Sequence, residues 1–373
     1  MDITQVNLAH KKQVRAFLNL PFRLYKDTPQ WVPPLDGEAR LYLDPRRHPF
    51  YKHSQAAFFL ATRNGLPVGR LAVLENRRYN DYNRTRAGFF TLFECENDTQ
   101  AASRLFEAAS AWARERGLTE LTGPKGFTVL DGFGMLVKGF EHRPAFGMPY
   151  NPPYYPELLE RLGFQMVSEA VSGYLNPQAE FPERIHQLSA KIQQRRGLHI
   201  ARYRTRNDLR MLVPHLKELY NGALQGTTGT YPLKDDEVKR MADQMLWFAD
   251  PKLVKVVMKG EKPVGFLLAY PDISAALQKT SGKLLPFGWL ALLRAMKTTD
   301  WININGAGMI DEYRGLGGTA ILFSEMYKTI RESGQFRHAE LVQIGLENDR
   351  MQRELRDLGI DFYKAHLLYR KDL

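Results

Sequence analysis

A glycine-rich turn between a strand-like segment and an amphipathic helix constrains the fold of this chain more than any other feature. The turn reads Tyr313-Arg314-Gly315-Leu316-Gly317-Gly318-Thr319-Ala320. Before it, residues 301–305 alternate apolar and polar side chains, which is typical of a strand. After it, apolar residues recur every three or four positions from Leu316 to Ile330, as on the buried face of a helix. The sequence therefore predicts a strand, a tight turn and a helix in immediate succession.

This turn is suited to binding a phosphate group. The first backbone N–H groups of a helix have no partner within it, and that end carries partial positive charge. Glycines let the backbone approach a ligand closely, so the turn predicts a site for a pyrophosphate. The motifs G-x-x-x-x-G-K-S/T and G-x-G-x-x-G are both absent from it. A Walker-type loop and a dinucleotide-binding turn are therefore excluded here.

The segments after this helix are predicted to alternate between strand and helix. Residues 338–346 have the composition of a strand, Glu347-Asn348-Asp349 would cap a short helix, and Gly359 would end it. A final strand is predicted from Phe362 to Tyr369. The helix and strand order on both sides of the turn is therefore specific enough to compare with known folds.

This order of elements, together with the turn, resembles the second half of the GNAT acyltransferase fold. The turn matches the family signature Gln/Arg-x-x-Gly-x-Gly/Ala at Arg314 and Gly317, whereas Thr319 stands where the family has glycine or alanine. The resemblance covers residues 198–373. The predictions upstream of the turn are a strand at 198–203, helices at 207–220 and 235–248, and a hairpin of 254–258 with 264–270.

The resemblance implies acyl-CoA, either acetyl-CoA or a longer acyl-CoA, as cosubstrate, and no metal. Three groups of residues would bind it: the turn, the end of the strand before it, and the residue that opens the short helix. These cofactor-binding candidates are Met309, Ile310, Arg314, Gly315, Leu316, Gly317, Gly318, Thr319 and Asn348. Met309 and Ile310 would offer backbone donors to the oxygen of the thioester, and Gly306 and Gly308 favour a bulge in their strand.

The catalytic acid that the family commonly uses is missing from its usual place. A tyrosine on the short helix often protonates the departing thiolate, but the corresponding residue here is Leu355. Tyr363 is the nearest replacement for the acid, and Glu347 is the nearest carboxylate for a base. The catalytic candidates are therefore Glu347 and Tyr363. No G-x-S-x-G motif and no metal-ligand spacing of His or Cys points to another chemistry.

The amino-terminal half repeats the same plan without the glycine turn. A hairpin at 57–74 matches the later one, and residues 159–164 align with 355–360. In place of the turn stands Glu94-Cys95-Glu96-Asn97-Asp98, which has three acids and would repel a pyrophosphate. This acidic segment, together with the run Met148 to Tyr155, resembles a group of bacterial tandem GNAT proteins. We expect the first half to be a scaffold or an acceptor-side domain.

The predicted fold class is α/β, with two GNAT-like domains in tandem, each a mixed, mostly antiparallel sheet flanked by helices. The first domain would comprise residues 1–175, with a degenerate cofactor turn. Residues 176–197 would form a linker that contains an amphipathic helix. The second domain, 198–373, would bind acyl-CoA.

Composition narrows the partners and the location. A hydrophobic content of 44% with 25% charged residues is ordinary for a folded globular chain. The net charge of +11 suits an anionic ligand such as CoA, while no nucleic-acid-binding motif accompanies it, so nucleic acid is not an expected partner. One cysteine, Cys95, and the lack of a signal-peptide pattern or a membrane-length apolar run predict a cytoplasmic protein.

The segment 281–299 departs from an ordinary GNAT domain. It is apolar almost all round, with Trp289 in the middle and Lys283, Arg294 and Lys297 towards its ends. That composition is typical of a helix at a membrane interface, of the wall of a tunnel for a fatty acyl chain, or of a core helix between the two halves. The first interpretation predicts peripheral contact with the inner face of the membrane.

The sequence thus predicts an N-acyltransferase that moves an acyl group from acyl-CoA to an amine. A long acyl chain or a lipid-like amine is expected because of segment 281–299. Two alternatives stay open. Leu355 and Thr319 favour a non-catalytic protein that binds acyl-CoA or lipid, and the turn alone would also fit an acetyltransferase for small amines.

Overall fold

Hairpins with apolar inner faces form the outer part of the sheet in both halves of the protein. The computed structural model describes residues 1–129, 131–223, 230–345, 353 and 355–373. The strands are β1 (Asp2–Gln5), β2 (Gln55–Arg63), β3 (Leu66–Glu75), β4 (Ala87–Cys95), β5 (Glu120–Gly123), β6 (Met135–Lys138), β7 (Gln165–Leu175), β8 (Leu198–Ile200), β9 (Val254–Lys259), β10 (Lys262–Pro271), β11 (Trp301–Met309), β12 (His338–Gly345) and β13 (Asp361–Asp372). The predicted hairpins are therefore β2–β3 and β9–β10.

Helices cover both parts of this sheet. They are α1 (Lys11–Leu24), α2 (Asp36–Tyr42), α3 (Arg77–Asn83), α4 (Thr99–Arg114), α5 (Tyr155–Arg161), α6 (Glu183–Arg196), α7 (Arg206–Arg210), α8 (Val213–Ala223), α9 (Asp235–Phe248), α10 (Ser274–Thr280), α11 (Gly288–Thr298) and α12 (Gly318–Ser333). The helix expected at 207–220 is divided into α7 and α8. Pro214 lies in the first turn of α8, where a proline needs no N–H partner.

The described strands form one continuous sheet in the order β1-β2-β3-β4-β5-β13-β7-β12-β11-β10-β9-β8, and β6 pairs with β13 beside this path. The pairs β4–β5 and β11–β12 are parallel. The hairpin pairs, and those made by β7 and β13, are antiparallel. The predicted α/β fold with mixed, mostly antiparallel sheets flanked by helices is confirmed.

The last strands of the two halves are exchanged. β13 lies between β5 and β7, with Tyr369 opposite Gly123 on one side and Leu367 opposite Glu169 on the other. β7, the last strand of the first half, pairs with β12 of the second half. Tyr369 accordingly packs into the hydrophobic core around α4. The domain boundaries at 175 and 198 stay a prediction, because the exchange joins the halves through hydrogen-bonded strands.

The principal helix of each half lies on its own core, and each starts differently. Asp98 caps α4, accepting hydrogen bonds from the N–H groups of Gln100 and Ala101 at 3.0 and 3.2 Å. α12 starts after Gly317 without a side-chain cap. The first N–H groups of α4 therefore bond to a side chain of the protein. Those of α12 remain available to another group.

Candidate active site

The glycine turn lies between the end of β11 and the start of α12. Gly315 and Gly317 both adopt left-handed backbone conformations, with φ of +72° and +88°, which a side chain would disfavour. Within the described part of the chain, the N–H groups of residues 317–319 donate no hydrogen bond. A helix end with free donors and partial positive charge is suited to an anion. The predicted strand, turn and helix are thus confirmed as elements.

Arg314 braces the turn through its guanidinium group. Its Nε donates to the carbonyl oxygen of Met309 at 3.3 Å, and an Nη donates to that of Ala223, at the end of α8, at 2.8 Å. It also pairs with Asp311 at 3.0 Å. The side chain therefore holds the strand end, the turn and α8 together. A direct contact between Arg314 and a pyrophosphate stays a prediction.

The two residues before the turn are engaged in the protein. The N–H of Ile310 donates to the carbonyl oxygen of Val264 at 2.9 Å, which continues the pairing of β10 with β11. The buried side chain of Met309 lies against Gly265 and Gly318, where a Cβ on either glycine would overlap its sulfur. The donor role expected of Ile310 would require that hydrogen bond to break. The roles of both residues stay predictions.

Each half contains a cleft where two parallel strands separate. β11 pairs with β12 only over residues 301–304, and Gly306 then takes a φ of +94°. The pairing of β10 with β11 shifts register between Leu267 and Ala269, in agreement with the bulge expected in this region. In the first half, β4 and β5 pair only over residues 87–89 and 120–122. The separated ends of all four strands leave room for ligands.

Both clefts open into one cavity of about 2290 Å³. Gly315, Gly317 and Thr319 of the turn line it, so the anion site and the cavity are continuous. Most of the other lining side chains are apolar and come from both halves and from α6. Examples are Phe50, Phe127, Ile192, Leu216, Phe266 and Leu292. A cavity of this size exceeds the common range for small-ligand pockets, about 300–1,000 Å³.

Two carboxyl groups in the cavity wall were missed by the sequence analysis. Asp131 accepts hydrogen bonds from the N–H and hydroxyl of Thr128 at 2.9 and 3.0 Å and from the Tyr42 hydroxyl at 3.1 Å. Burial raises the pKa of Asp131. Burial and the charge of Asp131 together raise the pKa of Glu38 to about 7. Neither carboxylate forms an ion pair among the described residues, so the pair could hold a proton or a cationic amine.

Glu94, one of the three acids expected to repel a pyrophosphate in the first half, forms hydrogen bonds within the protein. Glu94 accepts hydrogen bonds from the hydroxyls of Tyr25 and Tyr155 at 2.6 and 2.9 Å, and it lies 3.7 Å from a guanidinium nitrogen of Arg70. Arg70 is buried, and its Nε has no hydrogen-bond partner among the described residues. Burial raises the pKa of Glu94. Arg70, Glu94 and Tyr155 line the first-half end of the cavity.

Of the two predicted catalytic residues, Tyr363 lies within the described structure. Glu347 and Asn348 lie outside the described residues. Tyr363 lies on β13 beside the buried ion pair of Lys364 and Glu340 and is not among the residues that line the cavity. Burial and the charge of Glu340 raise the pKa of Tyr363 far above its ordinary value. Leu355, at the position of the family's acid, is buried. The catalytic roles of Glu347 and Tyr363 stay predictions.

Two features are absent from the described part of the chain. It holds no group of three or more His, Cys, Asp or Glu side chains that could bind a metal ion. No helix in it has both the length and the apolar composition needed to cross a membrane.

Two known proteins are similar to this chain over nearly its whole length. No protein-family model matches. "Protein YghO" of Escherichia coli K12 is 25% identical, over 98% of this chain and 94% of its own length. A protein named "Bacterial ceramide synthase" from Caulobacter vibrioides is 26% identical, over 100% of this chain and 98% of its own length.

Solved structures match the fold over its full length. A tandem GNAT protein from the clavulanic acid biosynthesis pathway superposes with a TM-score of 0.56 at 11% identity, covering 100% of this chain and 98% of that one. A GCN5-related N-acetyltransferase from Sphaerobacter thermophilus has a TM-score of 0.52 at 15% identity, covering 100% and 95%. The resemblance indicated by the turn and the order of elements is confirmed: the chain has the tandem fold of the GNAT acyltransferase superfamily.

Proposed function

We propose that this protein is an acyl-CoA-dependent N-acyltransferase that transfers a long acyl chain to a lipid-like amine. The observation that carries the proposal is the single cavity that joins the glycine turn to two clefts with mainly apolar walls. A small acetyl group and a small amine would need only a fraction of that space. The relative named as a bacterial ceramide synthase supports a lipid-like product, since ceramide is the amide of a fatty acid and a long-chain amino alcohol.

In this proposal the turn holds the pyrophosphate of acyl-CoA. The free N–H groups of residues 317–319 and the positive end of α12 would stabilise its charge. Acyl-CoA is made and kept in the cytoplasm, so we place the reaction there or at the inner face of the membrane. The first half carries no equivalent donors, because Asp98 caps α4, and it would serve the acceptor.

The acceptor must reach the thioester as a free amine. Its nitrogen attacks the carbonyl carbon, the C–S bond breaks, CoA leaves as the thiol, and the amine gives up a proton to a base. Glu38 and Asp131 offer carboxyl groups in the same cavity to attract the cationic amine. Glu347 remains the proposed base, and Tyr363 remains the proposed acid although it does not line the cavity.

The test is a matrix of donors and acceptors with free CoA thiol as the readout. Acetyl-CoA and palmitoyl-CoA are each offered with a short soluble amine and with a long-chain amino alcohol in detergent micelles. We expect the fastest thiol release, and an amide detectable by mass spectrometry, from the long donor with the long acceptor. Preference for acetyl-CoA with the short amine would instead establish a small-amine acetyltransferase.

A non-catalytic binder is the second candidate, favoured by the buried Leu355 where the family has its acid. It predicts tight binding of acyl-CoA without thiol release in any combination. Native mass spectrometry of the purified protein distinguishes the two. A stoichiometric acyl-CoA that persists after an excess of amine is added would support the binder, whereas its loss with formation of the amide would support the enzyme.

A further inference from the structure

We infer that the helical pair α10–α11 docks on an anionic lipid bilayer, and that the acceptor passes from the bilayer into the cavity beside it. The inference rests on the proposed function and adds to it the source and the route of the acceptor. The evidence for it is the difference between the two faces of this helical pair, residues 274–298. The outer face is exposed, and the inner face lines the cavity.

The outer face exposes a concentrated group of large apolar side chains. Five of the twelve exposed large hydrophobic residues found in the described chain fall within residues 285–293. They are Leu285, Phe287, Trp289, Leu290 and Leu293, with exposed fractions of 80%, 72%, 44%, 49% and 44%. Single exposed apolar residues are ordinary, but a contiguous group marks a surface that binds another apolar phase.

The inner face of the same helices is a wall of the cavity. Leu277, Leu284, Leu292 and Met296 line it, and Leu292 is only 1% exposed. The outer apolar group and the cavity are therefore separated by the thickness of one helical layer. A lipid tail that moves around this layer would exchange one apolar environment for another, without passing through water.

The helical pair is fixed to the first half by hydrogen bonds. Gln278 Nε2 donates to the carbonyl oxygens of Pro29 and Trp31 at 2.7 and 2.9 Å, and the N–H of Asp36 donates to the carbonyl oxygen of Gly282 at 3.0 Å. Residues 31–35 line the cavity next to this junction. We place the entry of a lipid from the bilayer along the edge of this junction, where residues 31–35 and the helical pair both line the cavity.

Charge identifies the partner as an anionic membrane. The segment 274–299 contains no acidic residue. Its four cations are exposed, and none forms an ion pair with any described residue: they are Lys279, Lys283, Arg294 and Lys297. Basic side chains around an apolar face suit phosphate headgroups around acyl chains. A protein partner would need acidic side chains placed around its apolar contact surface. An anionic bilayer presents negatively charged headgroups across its whole surface.

The test compares binding to vesicles for the full-length protein and two triple variants. The variant Phe287→Ser, Leu290→Ser, Leu293→Ser removes apolar side chains that face outward and do not line the cavity. The control Leu66→Ser, Tyr82→Ser, Met211→Ser removes side chains that are similarly exposed elsewhere. Vesicles contain phosphatidylcholine with or without phosphatidylglycerol, and bound protein is measured by sedimentation.

We expect wild type and control to bind the anionic vesicles and the α10–α11 variant to bind at least about tenfold more weakly. The variant should still acylate the long-chain amine in detergent micelles, but lose turnover of the same amine embedded in vesicles. Equal vesicle binding by all three proteins, or none by wild type, would overturn the inference. So would a wild-type oligomer that the variant dissociates, because the apolar group would then be a protein interface. No thiol release in micelles from any protein would instead count against the proposed function, and the binding result would still test the docking.

Discussion

Ile192 of α6 lies directly against the Cα of Gly317 in the glycine turn. A Cβ at Gly317 would overlap the Cδ1 atom of Ile192. The helix between β7 and β8 therefore supports the turn from behind, and the absence of a side chain at 317 is needed for packing as well as for the left-handed φ of +88°.

Gly317→Ala should destabilise the protein through both effects. A left-handed backbone costs a residue with a side chain about 1–2 kcal/mol, and the overlap with Ile192 adds about 1–3 kcal/mol. The free energy of unfolding in urea should fall by about 2–5 kcal/mol. Adding Ile192→Ala should relieve the overlap, so the double variant should lose less than the sum of the single variants. Strict additivity would contradict the contact.

Thr319→Glu is the sharper test of the anion site. Thr319 lines the cavity in the first turn of α12, where an acid favours the helix but would repel a pyrophosphate. We expect affinity for CoA, measured by calorimetry, to fall at least about tenfold, or 1.4 kcal/mol, with unchanged thermal stability. The control Gln100→Glu places the same charge in the first turn of α4 and should leave CoA binding intact. Equal affinity in Thr319→Glu would refute the assignment.

Glu38 should make stability depend on pH near neutrality. Burial and the charge of Asp131 raise the pKa of Glu38 from 4.5 to about 7 in the folded protein. Its proton therefore favours the folded state, and this contribution is lost as the pH rises from about 5 towards 8. Glu38 is surrounded by protein atoms in the cavity wall, yet water reaches its side chain, so we expect a loss of only about 1 kcal/mol.

Glu38→Gln should remove that pH dependence. Urea unfolding at pH 5 and pH 8 would measure it, with the exposed Glu180→Gln as the control that keeps the wild-type slope. If Glu38 also attracts the amine, the same variant should raise the KM for the amine and leave the KM for acyl-CoA unchanged. A change only in the KM for acyl-CoA would show that the carboxyl pair interacts with acyl-CoA and not with the amine.

Replacing only one partner of the ion pair between Lys364 and Glu340 should destabilise the protein more than replacing both. Lys364 Nζ lies 2.9 Å from both carboxylate oxygens, and each side chain is 3% exposed. Lys364→Met would leave a buried carboxylate without a partner and cost about 3–5 kcal/mol. Adding Glu340→Leu should recover most of that loss in urea unfolding. A double variant as unstable as the single one would show that Lys364 acts through other contacts.

Elements with a strong local signal could be predicted from the sequence. The glycine turn, α9 and the hairpin β9–β10 all depend on residues close together in the chain. The split between α7 and α8 was missed because the apolar spacing continues across Leu212. The cofactor assignment to Arg314 came from one short motif, which indicated its position but not the backbone contacts of its guanidinium group.

Pairings between distant segments could not be predicted. Nothing in the pattern of β7 or β13 shows which β-strand each would pair with, because both strands carry similar apolar residues. Glu38 and Asp131 likewise come from separate loops and helices, and neither belongs to a motif. The run of glycines from Gly126 to Gly134 was the only signal that the segment around Asp131 had an unusual backbone.

Because the last strands are exchanged, the sheet can be completed only after β13 has been synthesised. β13 is translated after all the other described strands, yet it lies in the middle of the sheet, between β5 and β7. While the ribosome is still adding residues before Asp361, the edges of β5 and β7 have no partner, and unpaired edges invite aggregation. A chain stopped by premature termination just before β13 would keep every residue of the glycine turn and still lack the strand that joins its halves.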